Sequence, residues 1–485
     1  MTRRQLAGVA APALLARNRR PNILFMMTDD HVPRAMSCYG NRILKTPNFD
    51  RLAGEGCRFD NAFCTNSLCA PSRASVLTGT YSHINGIRGN SESAGAIERI
   101  DRSLPTYPEL LRKAGYRTAM IGKWHLSHDP VGFDYSCILP GQGVYFDPIF
   151  LENGVKKQFT GYTTDLTTDI ALRFLGEQDK TSPWCLVYQH KAPHRPFQPA
   201  PRHRKLLDDI ELPHPSTYDD RYLTRRVAAE AADMKFDQSL EGDYKDLPRG
   251  LSPKEKKNWI YQRFVKDYHR AAYGVDENLG RILGHLDKTG QTANTLVIYT
   301  SDNGFFLGEH GWYDKRFMYE PSLRLPLLIR YPALFGGGRV ENHFALNVDY
   351  APTILDLAGV KTPGTMQGRS LRPLLEGKAP EDWRASMYYT YYENSWVLHG
   401  KGKEAMSDPT FQYFTPHRVG PHRGVRDGRY KLIHYYSEGD YWELFDLEKD
   451  PDELRNVYSE APYAAVRDSL KKELGRLKRY YRDNS

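Results

Sequence analysis

PNILFMMTDD, residues 21 to 30, sets five apolar residues in a row between a proline and two aspartates. A run this short, apolar at successive rather than alternate positions, fits a strand buried on both faces, as in a parallel sheet covered by helices on each side. Four further runs share the pattern: TAMIG from 118, CLVYQH from 185, TLVIYTSDNG from 295 and LPLLIRYP from 325. Helical patterns lie between them. In residues 252–290, Pro253 after Ser252 is a start signal and Gly290 a stop. Ile260, Phe264, Tyr268, Val275, Leu279, Ile282 and Leu286 form an apolar stripe between the two.

Strands alternating with helices predict an α/β fold: a large, mostly parallel central sheet flanked by helices. Residues 201–250, rich in Asp, Arg and Pro, read as an insertion over one face of it. Beyond about 372 the pattern changes. SMYYTYY, HRGVRDGRYKLIHYY and YWELFDLEKDP alternate aromatic and polar residues, which predicts a smaller antiparallel sheet, with a helix over about 461–482 packed on it. The expected organisation is a tail or export signal over 1–20, a main domain over 21–372 and a C-terminal subdomain over 373–485.

The chain has 485 residues, 40% hydrophobic and 26% charged, the balance of a globular protein. No apolar run reaches the roughly 18 residues of a membrane span. The net charge of +8 is spread along the chain, and its densest stretch, KKELGRLKRYYRDNS, reads as the solvated face of a terminal helix, not a nucleic-acid patch. Cysteines 38, 57, 64, 69, 137 and 185 form no CxxC pair, so at most one or two disulfides are expected.

Polar residues where strands end are where such sheets hold ligands. Asp29 and Asp30 end the first run, and Asp302 and Asn303 end the run from 295. Adjacent side chains on a strand point opposite ways, so Asp29 and Asp30 converge only if the strand breaks there. Taken alone, each pair would serve as well in a surface turn. Together they make a hard-oxygen set suited to Ca2+ or Mg2+ and a poor zinc site. GKWHLSH places Lys123 and His125 after another strand, pointing the same way if the chain stays extended. KAPHRPF holds His194 between prolines, and WYDKRFMYE supplies Lys315. With a divalent ion among Asp29, Asp30 and Asp302, the cations Arg73, Lys123 and Lys315 leave an excess of positive charge, so the pocket favours an anion. Pro71 can open a helix, whose free N–H groups would add to that preference.

CAPSR at 69–73, followed by ASVLTG, matches the Cys-x-Pro-x-Arg signature at which sulfatases convert cysteine to formylglycine. With TDD, GKWH, PHRP, SDNG and DK in order, residues 21 to about 460 resemble the formylglycine-dependent sulfatases of the alkaline phosphatase superfamily. The resemblance implies a calcium-dependent hydrolase of sulfate esters. Cys69 would be a precursor: one hydroxyl of the hydrated aldehyde attacks sulfur and the other expels sulfate, with a metal lowering the pKa of the first. Carried over by motif, Asp29, Asp30, Asp302, Asn303 and the modified Cys69 would hold Ca2+, in preference to Mg2+. Asp302 would also take the attacking hydroxyl's proton. Arg73 and Lys123 would orient the hydrate, Lys123 and Lys315 would clamp sulfate, His194 would be the acid for the leaving oxygen and His125 the base of the second step. His310 reads as structural.

Residues 132–154 and 161–175, VRDGRYKLIHYY and ELFDLEKDPDELRNVY are similar to N-acetylglucosamine-6-sulfatases and related glycan sulfatases. This implies a 6-O-sulfated N-acetylglucosamine substrate, with galactose 6-sulfate and uronate 2-sulfate as alternatives, and a formylglycine-generating maturation enzyme as partner. A phosphomonoesterase or phosphonate hydrolase of the same superfamily, and an inactive binder of sulfated glycans, are the rival readings. FTPHRVGPHR, residues 414–423, matches nothing in these families; His417, His422 and Arg423 are the expected lining of the sugar pocket. The N-terminus, with Arg3, Arg4 and an apolar stretch from Leu6 to Leu15, is similar to a twin-arginine export signal and predicts export.

Overall fold

In the computed structural model, which describes residues 20–90, 98–179, 181–236, 240–392, 417–436 and 440–484, ten strands make one sheet. In chain order they are β1 (Asn22–Thr28), β2 (Cys57–Phe59), β3 (Arg117–Lys123), β4 (Tyr135–Leu139), β5 (Ile149–Glu152), β6 (Val155–Gln158), β7 (Trp184–Gln189), β8 (Thr295–Ser301), β9 (Leu327–Arg330) and β10 (Arg339–Glu341). Across the sheet the order is β10-β2-β9-β8-β1-β7-β3-β4-β5-β6. The middle, from β8 to β4, is parallel, while β9 runs antiparallel to both β8 and β2. The run from 325 is as apolar as the others, and burial on both faces does not reveal a strand's direction.

The continuous apolar run of β1 follows from its central place. Ile23, Phe25 and Met27 enter one hydrophobic cluster and Leu24 and Met26 the other, so neither face meets water. The long helix α4 (Pro253–Lys288), which comes after α1 (Pro47–Glu55), α2 (Cys69–Thr78) and α3 (Thr163–Gly176) in the chain, serves both clusters. Val275, Leu279, Ile282 and Leu286 cover the face of Leu24, and Ile260, Phe264 and Tyr268 join the other cluster. A capping box starts it: Ser252 Oγ accepts from Glu255 N at 3.3 Å, and Glu255 Oε2 accepts from Ser252 N at 2.9 Å. Residues 201–250 form short irregular turns, with Met234, Phe236 and Leu240 buried.

The smaller sheet is antiparallel throughout, in the order β11 (Ser386–Tyr391), β12 (His422–Asp427), β13 (Tyr430–Tyr435), β14 (Tyr441–Asp446), with α5 (Ala464–Tyr480) against it. Met387, Tyr389 and Ile433 share the hydrophobic cluster of Ile23 and Phe25. Ser67 N donates to Tyr389 Oη at 3.0 Å, and Tyr389 Oη donates to Arg316 O at 2.7 Å. The small sheet is therefore tied to the segments that carry Cys69 and Lys315. All six cysteines are free. Among the described residues, no helix is long and apolar enough to cross a membrane. The export motif, residues 1–19, and positions 414–416 of the unmatched stretch lie outside the described residues.

Candidate active site

β1 has a parallel partner on each side, β8 and β7, reached by opposite turns of the chain, and the crevice at such a reversal opens at the carboxyl ends of the strands. There the chain leaves β1 and Asp30 takes a left-handed conformation, φ 63°, which breaks the strand's alternation. Asp29, Asp30 and Asp302 consequently present carboxylate oxygens within 4.8 Å of one another, each side chain at most 1% exposed. Asp302 N donates to Thr28 O at 3.1 Å, and Asp30 N to Asp302 Oδ1 at 3.2 Å, locking the two strand ends together. Asn303 Nδ2 donates to Asp30 Oδ1 at 2.6 Å, while its Oδ1 is buried with no hydrogen-bond partner.

Cys69 and Arg73 stand one turn apart on the wholly buried helix α2. Cys69 Sγ lies 3.6 Å from Asp29 Oδ1 and 3.3 Å from Lys315 Nζ. Arg73 Nη2 reaches Asp29 Oδ2 at 3.0 Å and Asp302 Oδ2 at 2.9 Å, and Lys315 Nζ reaches Asp30 Oδ1 at 2.5 Å. Lys123, the last residue of β3, pairs with Asp29. Gly122 before it has φ 103°, and a Cβ there would sit 1.8 Å from Gln189 O of the neighbouring strand, so only glycine brings the strand this close.

These contacts set the protonation states. Burial raises Asp30 to about 7 despite Lys315, and burial with the charge of Asp29 raises Asp302. Against the same burial, Lys123, His194 and Arg73 hold Asp29 well below the usual carboxylate range. Burial, and next Asp29, push the Cys69 thiol far above its ordinary value, so it stays protonated and is no activated thiolate. Three crowded carboxylates and one orphaned amide oxygen are what a hard divalent cation would satisfy. The residues fit such an ion.

His194 Nε2 is 3.8 Å from Asp30 Oδ2 and 4.0 Å from Asp29 Oδ1, and its Nδ1 donates to Arg195 O at 2.5 Å. Burial and the Lys123 ammonium lower its pKa well below the ordinary value. His125 is buried two residues past Lys123, but its own left-handed φ of 52° ends the extended geometry expected to align the two. His310 pairs with Asp220 at 3.0 Å, away from the carboxylates, a structural role.

Two expectations fail. Pro71 is the third residue of α2, not the first, and the N–H of Ala70 is taken by Asn90 Oδ1 at 3.0 Å, so this terminus is not an open anion site. Nor is His422 free to line a pocket. His422 is fully buried, its Nε2 accepting from Met318 N at 3.1 Å and its Nδ1 donating to Gly420 O at 2.9 Å. Arg423, on the opposite face of β12, lies 4.1 Å from the Tyr436 ring. His417 comes near the site, its Nε2 3.0 Å from Asp314 Oδ2 beside Lys315.

Gln142 and Lys191 were missed. Lys123 Nζ donates to Gln142 Oε1 at 2.6 Å and Lys191 Nζ to Gln142 O at 3.2 Å, so one residue brackets two ammonium groups. Burial and Lys123 lower Lys191 to about 7. Its place two residues after β7 is a readable signal.

The sulfatase family model matches residues 21–360, and a model described as N-sulphoglucosamine sulphohydrolase, C-terminal, matches 397–480. An N-acetylglucosamine-6-O-sulfatase of Bacteroides thetaiotaomicron is 42% identical over 96% of this chain and 88% of its own. The human N-acetylglucosamine-6-sulfatase is 27% identical, over 93% of this chain and 82% of its own. The structure of BT4656 in complex with its substrate D-glucosamine-2-N,6-O-disulfate superposes with a TM-score of 0.86 at 41% identity, covering 96% of this chain and 99% of that one. With most of its length matched by the family model, the chain belongs to the sulfatase family and is a sulfuric ester hydrolase.

Proposed function

We propose that the protein is an exported glycan sulfatase that removes the 6-O-sulfate of N-acetylglucosamine at the end of a glycan, with Cys69, matured to formylglycine by a dedicated enzyme, as its nucleophile. The observation that carries this is the seat of Cys69. Its Sγ, which stands where one of the oxygens on Cβ of the modified residue would stand, lies between Asp29 and the Lys315 ammonium, while the thiol itself is held inert. The two relatives named for N-acetylglucosamine 6-sulfate support the choice of sugar.

Asp29, Asp30, Asp302 and Asn303 would hold Ca2+ together with the modified Cys69. The ion would supply positive charge to lower the pKa of the attacking hydroxyl and to polarise the ester. As the hydrate, formylglycine offers one hydroxyl to attack sulfur and a second to release sulfate. Around it, the chain's own groups position and move protons. Arg73, held by two carboxylates, fixes Asp29 and Asp302 at one edge of the site, and Asp302 receives the nucleophile's proton. Lys123 and Lys315 bind sulfate oxygens, which requires each to share the carboxylate it now pairs with. His194, its lone Nε2 facing the cluster, donates to the leaving sugar oxygen. Its depressed pKa makes the imidazolium a strong acid, and an anionic ester beside it offsets the depression. His125 acts as base in the second step.

The test has two arms. Mass spectrometry of the tryptic peptide Phe59–Arg73 from active protein should find an aldehyde at Cys69 and an unmodified Cys64; active material carrying only thiol at Cys69 removes the mechanism. A panel of 6-sulfated N-acetylglucosamine, 6-sulfated galactose, 2-sulfated uronate and phosphorylated sugars should show fastest release from the first. Preference for another sulfated sugar overturns the sugar assignment, and preference for the phosphorylated sugars overturns the substrate class proposed here.

A further inference from the structure

Of the seven residues in the apolar stripe of α4, Tyr268 alone has a polar side-chain atom. The residue is fully buried. Its ring meets Phe197 edge-on with centroids 5.4 Å apart and stacks on Phe305 at 6.1 Å. Packing accounts for the ring but not for the hydroxyl, since phenylalanine would fill the same space with no polar atom to desolvate. The hydroxyl reaches the turn that follows β1. It donates to Asp30 O at 2.6 Å and accepts from Val32 N at 2.9 Å, so one atom closes that turn at two points.

The turn has little to hold it from within. Asp30, at φ 63°, takes a conformation that is costly to a residue with a Cβ. That conformation is also what brings the carboxylates of Asp29 and Asp30 together. The N–H groups of residues 29–32 all bond to other segments. Asp29 N donates to Ala192 O at 3.4 Å, Asp30 N to Asp302 Oδ1 at 3.2 Å, His31 N to Ser301 Oγ at 2.9 Å and Val32 N to the Tyr268 hydroxyl. Ser301 Oγ in turn donates to Asn303 O at 3.0 Å, which ties the turn to the other strand end. The Asp302 carboxylate is itself an expected ligand, so the hold of the two neutral hydroxyls is the part that an ion on Asp302 would leave untouched.

We infer that Tyr268, seconded by Ser301, is a positioning residue for the cation site: its hydroxyl holds Asp30 in the left-handed turn from which Asp29 and Asp30 aim their carboxylates together. The inference rests on the reading of Asp29, Asp30, Asp302 and Asn303 as calcium ligands. Tyr268 touches neither ion nor ester in this role and acts through the backbone of Asp30 and Val32. Tyr268→Phe keeps the ring and deletes the hydroxyl. Calorimetric titration of the chelator-treated protein with Ca2+ should give a dissociation constant about ten- to a hundredfold above that of the wild type, the usual loss when a group that orients a metal ligand is removed. The Ca2+ concentration for half-maximal sulfate release should rise with it, while kcat at saturating Ca2+ stays close to the wild-type value. Tyr319→Phe is the control. It deletes an equally buried hydroxyl, which donates to Glu443 Oε2 at 2.8 Å, and should leave calcium binding unchanged. An equal loss in Y268F and Y319F would report a general loosening of the fold and overturns the inference. If Y268F does not fold, Ser301→Ala decides, since it removes the acceptor of His31 N in the same turn and should weaken calcium binding likewise. A wild type that takes up no calcium overturns the cation reading and the inference with it. A wild type that binds calcium no more tightly than Y268F, or than S301A where that variant decides, overturns the inference alone.

Discussion

Two of the clusters of buried charge in this molecule have opposite characters. At the junction of the small sheet with the large one, Lys431 Nζ is 2.9 Å from Glu320 Oε1 and 2.6 Å from Glu453 Oε1, Arg426 Nε is 2.9 Å from Glu320 Oε1, and Glu320 N donates to Glu453 Oε2 at 2.7 Å. None of the polar side-chain atoms of these four residues is buried without a partner. At the strand ends, by contrast, Asn303 Oδ1 is orphaned, three carboxylates crowd within 4.8 Å and a protonated thiol lies among them. Both regions desolvate charge. Only the second leaves its hydrogen-bonding and charge requirements open, and an open requirement is what an ion or an anionic ester can meet. Burial of charge alone does not mark a reactive site.

The sharpest way to break the comparison is to exchange the two outcomes. Under the proposed mechanism Asp302→Asn should lower sulfate release by about 10³-fold or more, since it would remove a negative charge from the cation site and the proton acceptor. It should leave the melting temperature of the ion-free protein unchanged or raised, because burial already opposes ionisation of that carboxylate. Added Ca2+ should raise the melting temperature of the wild type and move that of the variant much less. A D302N protein that retains its turnover, or that melts early, would erase the distinction. Lys431→Met should do the reverse. It leaves Glu453 without its cation and costs about 3–5 kcal/mol in denaturant titration, with kcat of the folded fraction unchanged. Loss of turnover in a stably folded K431M protein would tie the junction to the chemistry.

The smallest effect concerns pH. Glu443, buried beside Arg225 and three tyrosines, has its carboxyl pushed up to about 7 by burial. Because its folded pKa exceeds the unfolded one, its contribution to stability is present below about pH 4.3 and is lost as pH rises towards 7. Glu443→Gln should flatten that part of the stability curve, by up to about 3 kcal/mol between the two ends. The same slope in both proteins would show that the carboxyl does not titrate there.

The residues that end strands were legible in the sequence because burial on both faces writes a strand as an unbroken apolar run, and the first polar residues after it fall at the sheet's edge. Asp29, Asp302 and Lys123 were found that way, and Cys69 and Arg73 by their motif. Sheet order was not legible, since β1 and β8 are paired over a separation of about 270 residues with nothing local to announce it. Gln142 stands in a loop with left-handed positions at Gly141 and Gly143, and no periodicity governs a loop. His422 misled for a definite reason. A histidine in an aromatic strand reads as a sugar contact, but alternation turns it inward, where Tyr389 and Tyr435 pack on its ring and two backbone groups satisfy its nitrogens.

The burial of Cys69 also has a consequence in time. Its side chain is 0% exposed, on a helix whose every residue is buried, and the pocket that encloses it is closed by Lys315, about 250 residues later in the chain. At about 5–20 residues per second of synthesis, the Cys69 segment exists for about 12–50 s before Lys315 has been made. Any reaction that another protein performs on this thiol belongs to that interval, or to whatever delay in folding extends it. In the folded molecule the thiol is fully buried, and under the proposed mechanism an individual chain that passes the interval unreacted would keep a thiol where its nucleophile belongs.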